Sequence, residues 1–595
     1  MAPRRNLTSS KKELISIAVE FGKFHLADYE HTDSPRLRSL LKRLDALLRH
    51  GCPFAEFDKG PPTRAIRDRR LFSQTDPQID KAIDSLLCFA AICGDLGNFP
   101  FTPAASGVYE LLRSYIPVAL DWVELLHPMN GHLHPVSGAN GYQKLCRLIT
   151  AFLHAVCLPG MYGSHEKMYE YIFTTPTIDY LVDLWLNLFR YTANPTWDAV
   201  MRLVKLMYDL AEHINVEDGP SGVASELVRS TVRQRIENRR RRLCRVVSRY
   251  GLYLQDGTQF RYVSMHLLAL ASILSLTPEL QVTVCPREDI RTLVNLLDHY
   301  IATRNWPALM TGCTYLSNLL VFSLNNKAVE WAINDGIIAT VLNALDHCDD
   351  QKTIVSVQRV VRCITDDFNS WRVLRAFQQK TTDLIHELEQ ASERHLVIVE
   401  CLTAYCERVG VLIYARLMFK EGREKCSYSE VRSCARSLTE PGIKTLACQG
   451  RDAWYCSERC QRAHWKEKHR RTCCFGSATR ISQRDWRFIC ALAVAHMQRN
   501  LRSIVEEALA LDPNRCHRMA LHVDLREPAI THRVKVVELK APEDAWTTRL
   551  VIYWREWGIV TVEDMDVAFQ LDVMLEEEAA DQEDIAASGL AILDA

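Results

Sequence analysis

Neither sign of charge dominates this chain. Its 595 residues carry 72 Lys and Arg against 73 Asp and Glu, a net charge of -1. A protein that binds nucleic acid along its whole length is expected to carry a basic excess, so the balance argues against that class. Long apolar runs are missing as well. No stretch of about 18 apolar residues occurs, and the longest candidate, 263–276, is interrupted by His266 and Ser272. The opening residues 1–12 are basic and polar with no apolar segment behind them, unlike a secretory signal. The expectation is a soluble intracellular protein. Glycine and proline are modest at 24 and 22, and 48% of residues are hydrophobic and 24% charged. Those values exclude collagen-like, mucin-like and fully disordered classes. The length predicts roughly three to four domains, or one long repeat array plus a module. Such a chain can bury a large core without disulfides or metal.

Catalytic signatures are also missing. There is no Gly-x4-Gly-Lys-Ser/Thr phosphate loop, no His-Glu-x2-His and no Gly-x-Ser-x-Gly. Asn130-Gly131-His132-Leu133-His134-Pro135 places two histidines in a loop, which reads as an ordinary polar loop rather than a metal pair. The carboxylates of Glu576, Glu577 and Glu578 read as a solvated run.

What is present is helical periodicity. Over most of residues 10–420, apolar residues recur every three to four positions, as in Ile178, Leu181, Val182, Leu184, Trp185, Leu188 and Phe189. Thr177 can cap that helix, and Asn194-Pro195 ends the element. An internal repeat is visible at an offset of 48 residues. Ile290, Thr292, Asn295, Leu297, Asp298 and His299 recur as Ile338, Thr340, Asn343, Leu345, Asp346 and His347. Helical units of that length resemble armadillo or HEAT-like repeats over about residues 160–410. The resemblance implies a solenoid whose extended concave face binds other proteins.

Residues 215–222 read as a linker, around Asp218-Gly219-Pro220. After them come Arg233, Arg235, Arg239, Arg240, Arg241, Arg242, Arg245 and Arg249. The four consecutive arginines Arg239–Arg242 would cover every face of one helix. The run reads as a solvated helix with ion pairs, with nuclear import or an acidic partner as the functional readings.

Cysteine usage is uneven. Seven of the 21 cysteines lie between Cys426 and Cys474, and the other fourteen are scattered. Cys88, Cys93, Cys146, Cys157, Cys313 and Cys363 sit in apolar helical contexts and read as small hydrophobes. The cluster is spaced Cys426-x7-Cys434-x13-Cys448-x7-Cys456-x3-Cys460-x8-His469-x3-Cys473. Thiolate and imidazole are the ligands of structural zinc, four to an ion. Seven ligands therefore predict two ions with one ligand unaccounted for. Ligands one helical turn apart can grip one ion, and a segment this short would take its folding free energy from the metal.

The run Trp454-Tyr455-Cys456-Ser457-Glu458-Arg459-Cys460-Gln461-Arg462-Ala463-His464-Trp465, followed by His469 and Cys473, closely resembles the second half of a MYND-type zinc finger. The resemblance covers about 50 residues, and the finger is placed at 421–475. It implies two zinc ions held by interleaved pairs. Cys426 and Cys434 would join Cys456 and Cys460; Cys448 would join His469 and Cys473. The first half departs from the family's two Cys-x2-Cys pairs, so the second ion lacks a fourth ligand at the expected place. Asp452, His464 and Cys474 are candidates, or water. The resemblance also implies a protein-interaction module taking proline-containing peptides, with Gln461 and Trp465 on the peptide-binding face. Arg459, Arg462, Lys466, Lys468, Arg470 and Arg471 make the segment basic. No spaced aromatic platform or recognition helix supports direct nucleic-acid binding.

Some MYND fingers sit within SET-domain lysine methyltransferases that use S-adenosylmethionine. The Gly-rich cofactor segment, the Asn-His-x-Cys segment and the Glu-Glu-Leu-like strand of such enzymes are missing here, which disfavours that alternative. Beyond the finger, Ile481–Leu509 reads as one amphipathic helix ended by Asp512-Pro513, and 521–525, 534–539 and 550–554 read as short strands. Residues 476–574 are expected to form a small α+β domain, and 575–595 an acidic tail. The expectation as a whole is a mainly α-helical, non-enzymatic scaffold, cytoplasmic and/or nuclear, with helical repeats over 1–420 and structural zinc in the finger. It would bind proteins in a regulatory or transcription-linked complex.

Overall fold

An amphipathic helix has to bury its apolar stripe against a neighbour, and the chain does this mainly with helices. The computed structural model describes residues 7–562. It is interrupted at 24–34, 63–70, 98–105, 136–140, 213–219, 256–260, 439–445, 448–452, 471–482, 512–517 and 538–548, and by shorter gaps elsewhere. The linker at 215–222 lies mostly outside the described residues, and the acidic tail entirely so. The chain divides into two compact units, Met1–Val282 and Thr283–Ala595.

The first unit contains α1 (Leu7–Phe21), α2 (Pro35–His50), α3 (Pro77–Gly97), α4 (Ser106–Leu126), α5 (Gln143–Val156), α6 (His165–Phe173), α7 (Thr177–Tyr191), α8 (Trp197–Glu212), α9 (Pro220–Ile236), α10 (Arg241–Gln255) and α11 (Arg261–Leu276). From α5 onward, each helix packs on the third one after it: α5 on α8, α6 on α9, α7 on α10 and α8 on α11. The periodicity predicted for α7 is real; Ile178, Leu181, Val182, Leu184, Trp185 and Leu188 are all buried.

The second unit begins with α12 (Arg287–Ala302), α13 (Trp306–Phe322), α14 (Lys327–Asn334), α15 (Ile337–His347), α16 (Gln351–Asp366), α17 (Trp371–Thr381), α18 (Ile385–Ser392) and α19 (Leu396–Glu421). The same rule holds for α12 on α15, α13 on α16, α14 on α17, α15 on α18 and α16 on α19. A period of three helices is the signature of a repeat, because successive units present equivalent faces to each other. The two segments alike in sequence, 290–299 and 338–347, are the cores of α12 and α15. The turn just ahead of α15 is tied to α12 by Arg287 to Asp335 at 3.3 Å and Arg291 to Asp335 at 3.5 Å. Local chemistry sets the boundaries. Asn305 caps α13 by accepting from the Ala308 amide at 3.4 Å, and Asp350 caps α16 by accepting from Thr353 N at 2.9 Å. Gly336, with φ of 105°, makes the left-handed turn between α14 and α15 that a side chain would strain.

Two sequence expectations need correction. The arginine run does not cover every face of one helix, because α9 ends at Ile236 and α10 starts only at Arg241. Within α10, Arg241, Arg245 and Arg249 point outward while Leu243, Val246, Val247 and Tyr250 are buried. The expected single helix 481–509 is two, α21 (Gln483–Arg499) and α22 (Leu501–Leu511). The break falls at Asn500, whose side chain donates to the His496 carbonyl at 2.8 Å and so competes with the helical ladder.

The three expected strands are present at Arg518–Asp524, Thr531–Val537 and Arg549–Arg555, and a fourth follows at Gly558–Val562. We call them β3 to β6 in chain order, the finger holding β1 and β2. The sheet order is β4-β3-β5-β6, antiparallel except for the parallel pair β3/β5. Helix α21 packs on α17 and α19 as well as on β5. Asp485 accepts from the Trp371 amide at 2.9 Å, and Asn369 donates to the Leu525 carbonyl at 2.5 Å. Asn369 in turn accepts from the buried Arg408 at 3.1 Å. This part therefore docks on the helical array rather than standing clear of it.

Candidate metal centre

Four of the predicted ligands come together. The thiol sulfurs of Cys426, Cys434, Cys456 and Cys460 all lie within 4.8 Å of one another. Cys434 and Cys456 are 3.5 Å apart, and Cys460 is 3.7 Å from each. These separations are far too long for disulfide bonds. A tetrahedron of sulfurs with bonds of about 2.3 Å to a central zinc has edges of about 3.8 Å, which the measured separations approach. The donor set thus fits one structural zinc ion.

The surrounding residues hold the cluster by ordinary local chemistry. The strands β1 (Leu446–Ala447) and β2 (Trp454–Tyr455) pair antiparallel, Leu446 facing Tyr455. Cys456 follows β2 directly, and Cys460 lies in the short helix α20 (Glu458–His464). Ser457 caps α20 by accepting from the Cys460 amide at 3.3 Å, which fixes the turn between the two ligands. Ser427 accepts from the Trp454 amide at 2.9 Å and ties the Cys426 segment to β2. The apolar core is small: among the described residues, Cys426, Leu438, Ala453 and Tyr455 are buried in it.

Electrostatics give the same answer. Burial pushes the Cys456 thiol up to about 12, and the facing thiols of Cys434, Cys460 and Cys426 push the same way. Four adjacent thiolates are not tolerated without a cation, whereas a divalent ion deprotonates its thiol ligands outright. The scattered cysteines behave differently. Cys93, Cys157, Cys313 and Cys401 are buried among helices, and burial alone raises Cys157 to about 12. Thiols of that kind are inert.

Of the remaining predicted ligands, His469 is buried against Tyr455 and His464. Cys448 and Cys473 lie outside the described residues, as do the candidates Asp452 and Cys474. His464 is described. Its ring stacks on His469 with centroids 5.3 Å apart, and its Nδ1 shares a hydrogen bond of 3.1 Å with the Tyr455 hydroxyl. Gln461 and Trp465 stand four residues apart on this helical segment, Gln461 half-buried. Trp465 is 42% exposed, and its ring meets His469 at 5.8 Å. Sequence reasoning missed the parts played by Ser427 and Tyr455, which carry no ligand atom and so no spacing signal. His132 and His134 lie beside a backbone bridge to Phe72 and form no metal-ligand cluster among the described residues.

A family model described as the MYND finger matches residues 432–473. The chain carries a MYND finger. Cys426 lies just ahead of the matched span, and the geometry adds it to the site. The MYND finger is a zinc-binding protein-interaction module, and the four-cysteine cluster supplies a metal site. A solved structure titled "Circular tandem repeat protein with novel repeat topology and enhanced subunit contact surfaces" aligns with 70% of this chain and 94% of its own, at 14% identity and a TM-score of 0.29. That likeness is too low to inform the fold. No curated protein matches the chain. Among the described residues, no helix is long and apolar enough to cross a membrane.

Proposed function

We propose that the chain is a non-enzymatic scaffold whose MYND finger, folded by zinc, presents Gln461 and Trp465 to a peptide of a partner protein. The observation that carries this reading is the exposed indole of Trp465, while the other described large apolar side chains of the finger, Tyr428, Leu438, Leu446, Trp454 and Tyr455, are buried or half-buried in its core. A large exposed aromatic in so small a module is an expected peptide-docking feature. An amide one helical turn away suits an extended, proline-containing segment, whose backbone carbonyls are free to accept. The helical repeats would offer a second binding surface, and the complex would be regulatory or transcription-linked, in cytoplasm or nucleus.

The finger would hold two zinc ions. Cys448, His469 and Cys473 would bind the second, and His464 is the candidate fourth ligand among the described residues. A metal-bound histidine commonly gives its other ring nitrogen to a hydrogen-bond partner. Tyr455 is that partner at His464 Nδ1, while Nε2 of both histidines is buried within the finger.

The test is an immobilised array of proline-containing peptides probed with the full chain and its Trp465→Ala variant. Peptides bound by the wild type should bind Trp465→Ala at least tenfold more weakly, with zinc content unchanged. Equal binding by the variant would overturn the reading.

A further inference from the structure

The arginine run has a destination that its sequence did not disclose. Within the first unit, Arg190 and Asp183 of α7, Arg235 of α9, Arg239 of the α9–α10 connection and Arg242 of α10 line one cleft of about 710 Å³. That is the size of a site for a small organic molecule. Its lining is mostly polar, and Tyr191 contributes an aromatic wall.

Two of the four guanidinium groups are held in place by the protein. Arg235 pairs with Asp179 at 3.3 Å. Arg242 donates to the Asn187 side chain at 2.5 Å and to the Arg235 carbonyl at 3.2 Å. The other two, Arg190 and Arg239, make no side-chain hydrogen bond or ion pair with any described residue, and both are exposed. The carboxylate at the floor is already engaged. Asp183 is buried and accepts from Asn187 at 2.9 Å and from Tyr191 at 2.6 Å. Four guanidinium groups against the carboxylates of Asp179 and Asp183 leave two positive charges facing the cleft. A phosphate monoester carries about -1.5 to -2 charges at neutral pH, and the arginine fork matches its oxygens in pairs. A carboxylate ligand would leave one charge unmatched. The cleft is also several times larger than a bare phosphate needs, so the anion should carry an organic body.

We propose that this cleft binds the phosphate monoester of a small organic molecule. Arg242 and Arg235 form its prepositioned wall, and Arg190 and Arg239 close on the phosphate. The residues of this site all belong to the first unit.

The experiment is isothermal titration calorimetry on the full chain at fixed ionic strength. The probes are adenosine monophosphate and glucose 6-phosphate, each against its unphosphorylated parent. At least one phosphate should bind saturably at one site per chain, tenfold or more tighter than its parent. Arg190→Glu and Arg239→Glu should each weaken that binding at least tenfold with an unchanged far-ultraviolet spectrum. Arg190→Gln and Arg239→Gln serve if charge reversal disturbs folding, and should weaken it at least threefold. Arg233→Glu, on the same run but near Glu279 and outside the cleft, should leave it intact. Binding of neither phosphate, equal binding of the parents, indifference to Arg190 and Arg239, or equal sensitivity to Arg233→Glu would each overturn the proposal.

Discussion

The helical repeats and the MYND finger solve the same problem by different means. Helix α12 alone buries Ile290, Leu293, Val294, Leu296, Leu297, Tyr300 and Ile301. At about 1.5–3 kcal/mol for each large side chain fully removed from water, one such helix brings a large favourable term against its conformational entropy. The finger buries Cys426, Leu438, Ala453 and Tyr455, and one of those four is a metal ligand. Its fold therefore depends on the thiol cluster, while the repeats depend on periodic apolar surface. The lesson is that the two regions should fail independently and under different insults.

The largest expected effect is on the finger. Structural zinc contributes about 10–16 kcal/mol to the folding of zinc-finger peptides. Chelation, or Cys456→Ser or Cys460→Ser, should unfold residues 426–473 while circular dichroism reports the helical content of 7–421 intact. Loss of helical signal across the whole chain would break the comparison.

The converse insult is a cavity in the repeats. Trp185 is wholly buried on α7, and Trp185→Ala should cost about 3–5 kcal/mol in denaturant titration while zinc content stays constant.

Acid should act on the helical region through a buried histidine. Burial holds the His127 imidazole down at about 4, against the opposing pull of Asp183. An unfolded histidine titrates near ~6.5, so between these values the unfolded chain binds the extra proton. The stability contributed by neutral His127 is present above ~6.5 and is lost as pH falls toward 4, by up to about 3 kcal/mol. Denaturant midpoints of the first unit should fall over that window, and His127→Gln should reduce the dependence by its own share, the rest coming from groups such as His154, which burial also holds at about 4.

Smaller effects sharpen the comparison. Asp350→Ala removes the cap of α16 and should cost about 1 kcal/mol, read as a modest drop in melting temperature. Trp465→Ala should change stability by less than about 0.5 kcal/mol, because its side chain is an exposed one. Its effect should appear in peptide binding alone.

How much of this was legible in the sequence follows the same division. Helices with one clean apolar stripe were readable from period alone, and so was the repeat, because α12 and α15 occupy equivalent places. The split at Asn500 was not readable, since Met497, Ile504 and Val505 continue the apolar pattern across the break. The fourth strand, Gly558–Val562, is too short to announce itself by alternation. In the metal centre, the four cysteines that the structure brings together were named by residue type and spacing. The arginine cleft was hidden for another reason. Asp183 and Asn187 lie one turn apart within a helix read by its apolar stripe, and only tertiary packing brings α9 and the start of α10 over them.

The most direct measurement is zinc per chain, by elemental analysis of the purified protein and of its Cys456→Ser and Cys448→Ser variants. The account predicts two ions in the wild type, with Cys456→Ser losing at least the ion of the four-cysteine site and Cys448→Ser falling to one. No zinc in the wild type, or a content unchanged by Cys456→Ser, would contradict the claim that metal at these thiols makes the finger.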